Sequence, residues 1–89
     1  MNVTVEYFAQ LRTRSGLQHE DYALPDGSSA TDLVEAIKNR HQGPFAEFLG
    51  GDDPMPGWIT VIQEDQPISM TTALKPDCTI RFLAPISGG

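Results

Sequence analysis

The residues best suited to chemistry stand at the end of the chain. Pro85-Ile86-Ser87-Gly88-Gly89 is reached through Ala84 directly from the apolar run Thr79-Ile80-Arg81-Phe82-Leu83. A proline ends ladder pairing because it has no amide proton. The glycines then remove every side chain from the approach to the terminal carboxylate, so the segment can thread a channel too narrow for a Cβ. A terminal glycine also has no stereocentre to scramble when its carboxyl is activated. This composition serves the main-chain carboxylate of Gly89, presented on a flexible finger. A carboxylate alone is a poor electrophile, so another protein must activate it. Adenylation makes a mixed anhydride, and a sulfur nucleophile can displace AMP to leave a terminal thiocarboxylate. The tail would visit two active sites in turn, which calls for a slim, extended segment. Ile86 adds an apolar anchor of roughly 1.5–3 kcal/mol when fully buried in a partner. The plain alternative is a frayed, inert terminus.

No other group of residues competes with the tail. His19 lies in a polar stretch and His41 at a helix end, neither with a second ligand at metal spacing, and both read as solvated. Glu20-Asp21, Asp52-Asp53 and Glu64-Asp65 are adjacent acidic pairs. Neighbours in a strand point to opposite faces, so such pairs make poor acid/base dyads and read as surface charge. Cys78 has no evident activating histidine and reads as a small buried apolar residue. No Ser/His/Asp set, phosphate-cradling glycine loop or metal motif stands out, so no metal is expected. The chain reads as a carrier or binding module and not as an enzyme acting alone.

Composition narrows the setting. At 89 residues and 39% hydrophobic, the chain suits one small globular domain. One cysteine excludes an internal disulfide and fits a reducing cytoplasm. The formal charge of −6 argues against nucleic acid and allows steering toward basic protein surfaces. No stretch is apolar for long enough to cross a membrane, and Met1-Asn2-Val3-Thr4-Val5-Glu6 lacks the regions of a signal peptide.

The elements that must position the tail follow in order. Val3, Val5 and Tyr7 alternate with polar residues, predicting a strand whose apolar character runs on through Phe8-Ala9-Gln10-Leu11-Arg12 to a turn at Thr13-Arg14-Ser15-Gly16. A weaker strand is predicted over Leu17–Leu24, closed by Pro25-Asp26-Gly27. Ser29 and Asp32 have capping-box spacing, and Leu33, Ala36 and Ile37 share one face of a helix predicted over Ala30–His41. Phe45, Phe48 and Leu49 suggest a further helical turn. Residues 50–57 read as a mobile surface loop. Trp58–Ile62 reads as a strand, Pro67-Ile68-Ser69 as a short edge strand, Thr71–Leu74 as a helical turn, and Thr79–Leu83 as the last strand. An opening hairpin, one crossing helix and a returning strand predict an α+β, ubiquitin-like β-grasp, with a mixed sheet packed on one main helix. The domain is predicted over 1–83 and the tail over 84–89. Alternation along the last strand turns Ile80 and Phe82 toward the helix, and Arg81 and Leu83 outward as candidate partner contacts.

The chain resembles the β-grasp sulfur carriers, and most of all the small subunit of molybdopterin synthase. The likeness rests on Phe8-Ala9-Gln10-Leu11-Arg12 with Gly16, on Leu24-Pro25-Asp26-Gly27 with Ser29 and Leu33, and on Leu74-Lys75-Pro76-Asp77 through Thr79–Leu83 to Ser87-Gly88-Gly89. The resemblance implies that Gly89 is adenylated by a ubiquitin-activating-like adenylyltransferase using ATP, then thiocarboxylated with help from a sulfur donor enzyme. It further implies that Pro85, Ile86, Ser87 and Gly88 thread into the large catalytic subunit, that sulfur passes to the cyclic pterin precursor of the molybdenum cofactor, and that the carrier binds no cofactor itself. The family commonly has two prolines at Ala84-Pro85 and a glycine in the turn at Gln63-Glu64-Asp65. These departures leave open a carrier for thiamine, cysteine or a thiolated natural product. A ubiquitin-like protein modifier is the further alternative.

Overall fold

The computed structural model describes residues 1–84, and the calls on Pro85, Ile86, Ser87, Gly88 and Gly89 lie outside them. The described residues form β1 (Asn2–Tyr7), α1 (Gln10–Ser15), β2 (His19–Ala23), α2 (Ala30–Arg40), α3 (Pro44–Phe48), β3 (Thr60–Gln63), β4 (Gln66–Ile68) and β5 (Cys78–Leu83). One sheet holds the strands in the order β2-β1-β5-β3-β4. The central pair β1 and β5 is parallel, with Val5 opposite Ile80 and Tyr7 opposite Phe82. The other pairs are antiparallel, giving the mixed sheet of a β-grasp.

The alternation in β1 does what its pattern requires: Val3, Val5 and Tyr7 are fully buried. They join Ile80 and Phe82 from β5, Val61 from β3, and Leu33, Val34 and Ile37 from α2 in a single core. Helix α2 starts where the sequence places it. The Ser29 amide donates to Asp32 Oδ2 at 2.8 Å and the Asp32 amide donates back to Ser29 Oγ at 3.4 Å. This reciprocal cap satisfies two otherwise orphaned donors. The helix stops at Arg40, with His41 as its C-terminal cap.

Three expectations are corrected. Phe8–Arg12 does not extend the first strand. Ala9 turns the backbone at φ 53°, and α1 follows with Leu11 fully buried and Gly16 ending it at φ 75°. The run is apolar because one helical residue reaches the core. Thr71–Leu74 is not helical. The stretch lies along the start of α2, where Ala30 and Thr31 amides donate to Thr72 and Met70 carbonyls at 3.1 and 2.9 Å, and Ala73 bridges Ser29. Trp58 lies outside β3, which begins at Thr60. Glu64 and Asp65 link β3 to β4 with φ of 52° and 64°, the left-handed pair of a two-residue hairpin. Pro67 sits in β4, an edge strand, where its missing N–H breaks no ladder within the sheet.

Candidate functional site

Strand β5 carries the chain to its terminal segment. It lies between β1 and β3, so both of its edges are paired and its end is fixed from two sides. Phe82 is fully buried and meets Tyr7 edge-on, with ring centroids 6.3 Å apart, and Tyr7 meets Phe45 the same way at 5.4 Å. The Phe8 amide donates to the Phe82 carbonyl at 3.3 Å. Ala84, assigned to the tail from the sequence, is packed against this core and only 8% exposed.

Arg81 and Leu83 lie on the face of β5 opposite Ile80 and Phe82, Arg81 exposed and Leu83 half-buried. Arg81 stands across from Ile62 and beside Glu6, and Leu83 stands across from Thr60. The Arg81 guanidinium spans two acids, with Nε 3.8 Å from Glu6 Oε1 and an Nη nitrogen 3.1 Å from Asp65 Oδ1. All three side chains are well exposed, so these contacts orient the guanidinium without sequestering it. On this face Arg81 is flanked along the strand by Thr79 and Leu83 and across it by Glu6 and Ile62.

A second feature escaped the sequence. Trp58 precedes β3 by two residues, at the end of the sheet where the chain leaves it, and is the exposed large apolar side chain among the described residues. It packs on Phe48 at 5.2 Å, and the Arg14 guanidinium lies 4.2 Å from the Phe48 ring centre. The chain places α1, α3 and the segment before β3 side by side only after folding, so no local spacing announces the stack.

Glu20 and His41 are also corrected. Neither is a solvated surface group. Glu20 Oε1 accepts from the Tyr7 hydroxyl at 2.7 Å and the Tyr22 hydroxyl at 3.1 Å, and lies 2.6 Å from His41 Nε2. Its other oxygen faces Arg40 at 3.4 Å. The Glu20 side chain is 9% exposed. Burial alone would raise its pKa, but the bonds from Tyr7, His41 and Tyr22 prevail and hold it below the ordinary carboxylate value. The phenols respond oppositely: burial and the adjacent Glu20 charge push Tyr22 up to about 12, and burial with the hydrogen bond to Glu20 raises Tyr7. This cluster joins the end of α2 to β2 and β1, a structural tie behind the base of β5. His19 is exposed on β2, as its polar context predicts.

Cys78 is half-buried at the start of β5 and its thiol lies 3.4 Å from Gln63 Oε1. Burial raises its pKa, which suppresses the thiolate. Among the described residues no cluster of His, Cys, Asp or Glu is disposed to hold a metal. No described helix is long and apolar enough to cross a membrane.

The fold defines the class: a small, ubiquitin-like β-grasp domain. The sequence matches the ThiS family over residues 5–89, and the chain belongs to that family of β-grasp sulfur carriers. No curated protein sequence matches it. Among solved structures it is similar to SAMP1, a small archaeal modifier protein of Haloferax volcanii, with a TM-score of 0.87, 18% identity and 100% of both chains covered. A Pyrococcus furiosus protein described as subunit 1 of a molybdopterin converting factor gives 0.73 and 26%, covering 96% of this chain and 98% of that one. Subunit 1 or 2 in the complex of molybdopterin-converting factor from Helicobacter pylori gives 0.64 and 23%, with 100% of both covered. The Helicobacter pylori structure is a complex of subunits 1 and 2 of that factor.

Proposed function

We propose that the chain is the sulfur-carrying small subunit of a molybdopterin synthase, with the Gly89 carboxylate as its reactive group. The observation that carries this is β5. A central strand paired on both edges runs through a packed Ala84 and hands the chain to Pro85-Ile86-Ser87-Gly88-Gly89. The family match extends to residue 89, and the likeness to the Pyrococcus furiosus protein supports the molybdopterin assignment.

In the proposed cycle an adenylyltransferase joins AMP from ATP to the Gly89 carboxylate and releases pyrophosphate. A sulfur donor then displaces AMP, leaving the thiocarboxylate. Residues 85–88 thread into the large catalytic subunit, whose side chains perform the chemistry on the pterin precursor. The exposed Arg81 and the half-buried Leu83 face that subunit. Binding at Arg81 favours a partner with an acidic side chain that displaces Glu6 or Asp65.

Purified chain, with the cognate adenylyltransferase, ATP and a sulfur donor, gains a terminal thiocarboxylate in this proposal. Transfer to the cyclic pterin precursor by the large subunit then regenerates the carboxylate. Activation without any transfer to the pterin would move the assignment to another sulfur acceptor. The likeness to the Haloferax volcanii modifier favours a second reading, in which Gly89 is joined to lysines of other proteins. Isopeptide-linked adducts bearing the Gly88-Gly89 remnant in source cells distinguish it.

A further inference from the structure

The lysines and arginines of this chain fall into two groups. Arg40 faces Glu20, Lys75 faces Glu64, and Arg81 faces Glu6 and Asp65. Lys38 is buried on α2, where its Nζ donates to the Asp53 carbonyl at 2.8 Å. Arg12 and Arg14 are different. Both are exposed on α1, which carries no acidic residue, and among the described residues neither forms an ion pair. Each lies over a ring instead, Arg12 at 6.0 Å from the Phe8 centre and Arg14 at 4.2 Å from that of Phe48. Phe48 in turn meets the Trp58 ring edge-on at 5.2 Å, and Trp58 is 46% exposed. Glu47, the acid beside Phe48 on α3, has its carboxylate against Gly51. The result is a locally cationic and aromatic patch on a chain of formal charge −6.

We infer that the stack of Arg14, Phe48 and Trp58 is a docking site for an acidic segment of a partner protein, which sets a carboxylate on Arg14 and an apolar side chain on Trp58. Charge selects the occupant. A guanidinium resting on a ring uses its face, while its N–H donors lie in its own plane and fit both oxygens of a carboxylate. Among the described residues no acid of the chain pairs with Arg14, so a partner's carboxylate gains that contact without displacing another. At Arg81 the same carboxylate must first displace Glu6 or Asp65. Arg12 adds a second unpaired cation on the same short helix, which steers an acidic segment toward the patch.

The aromatic half of the patch supplies the anchor. Trp and Arg are among the residues that carry most of the binding energy at protein interfaces, because each offers wide contact area. Trp58 adds little ordering cost on binding, since its ring already packs on Phe48. A second copy of this chain is the poorer occupant, because two bodies of charge −6 repel at long range. The site is also separate from the contacts of the proposed sulfur cycle. Trp58 precedes β3, whereas Arg81 lies within β5 across from Ile62. The inference does not depend on activation of Gly89.

Trp58 is the one tryptophan of the chain, so its fluorescence reports on the site directly. The full chain is titrated with a tryptophan-free peptide in which aspartates flank a leucine, and with a control peptide carrying asparagine at those places. The expected result is a saturable change in Trp58 emission with the aspartate peptide, with affinity about tenfold above that of the control and falling as salt is added. Arg14→Gln should weaken binding about tenfold without lowering the urea midpoint, and Arg14→Lys should recover part of the loss by restoring the charge. Trp58→Ala, followed by calorimetry, should lose binding as well. No response to either peptide, equal affinity for both, or indifference to Arg14→Gln overturns the inference. So does evidence for another occupant. Self-association in sedimentation that Trp58→Ala abolishes would assign the patch to a second copy. Quenching by AMP that Arg14→Gln abolishes, with no response to the aspartate peptide, would assign it to a nucleotide.

Discussion

Successive residues of β5 face two different environments. Ile80 and Phe82 are fully buried among the side chains of α2 and β1, whereas Arg81 and Leu83 look out from the uncovered face. The inward pair packs the strand into the core, and the outward pair lies on its other face. Packing and the proposed partner contact thus alternate along one strand, and single substitutions should separate them.

The largest separation is expected at the tail. One residue added after Gly89 should abolish thiocarboxylation while leaving the unfolding midpoint unchanged, as the core described above is built from residues up to Ala84 and the proposed reactive group is the Gly89 carboxylate. Mass spectrometry and urea titration check the two halves of that statement. The inward face should show the reverse. Phe82→Ala removes a fully buried ring and its contact with Tyr7, and should cost about 3–5 kcal/mol of stability. Against the roughly 5–15 kcal/mol of a typical domain, that loss should be evident in urea.

The Glu20 cluster should give an intermediate effect. Glu20→Gln removes the charge that Arg40 and His41 face, and should cost about 1–2 kcal/mol. Its pH dependence has a defined sign. The folded carboxyl titrates below its unfolded value, so its contribution is complete above the ordinary carboxylate range. That contribution is lost as pH falls through the lower, folded value. Urea midpoints across the acid range should decline in the parent and decline less steeply in Glu20→Gln. The smallest stability effect belongs to the outward face. Arg81→Ala loses only exposed ion pairs and should change stability by less than about 0.5 kcal/mol. Arg81→Glu should nevertheless weaken binding to the large catalytic subunit by about tenfold, or 1.4 kcal/mol, measured by calorimetry. A large stability loss in either Arg81 variant would break the division between faces.

What could be read from the sequence depended on how local each signal was. β1, α2 and β5 declare themselves by period and capping, because Val3, Val5 and Tyr7 alternate and Ser29 with Asp32 closes a local cap. α1 did not, since Phe8–Arg12 is apolar at a spacing that suits a strand equally well and the turn at Ala9 is made by a residue with no special conformational signature. The segment 70–74 is held by α2, about forty residues earlier in the chain, so its local helical pattern was overruled by distant backbone bonds. His41 and Glu20 are 21 residues apart and the stack of Arg14, Phe48 and Trp58 spans three segments, so each exists only in the folded chain. The proposed reactive group was legible for the opposite reason. Its chemistry needs a terminal carboxylate and a slim approach, which are properties of consecutive residues.

The measurement that tests the central claim most directly is the intact mass of the protein isolated from its source cells with its native C-terminus. The account predicts a fraction whose mass corresponds to sulfur replacing one oxygen, localised by fragmentation to Gly89. A mass with no such fraction, from protein that also fails to release pyrophosphate with its adenylyltransferase and ATP, would contradict it.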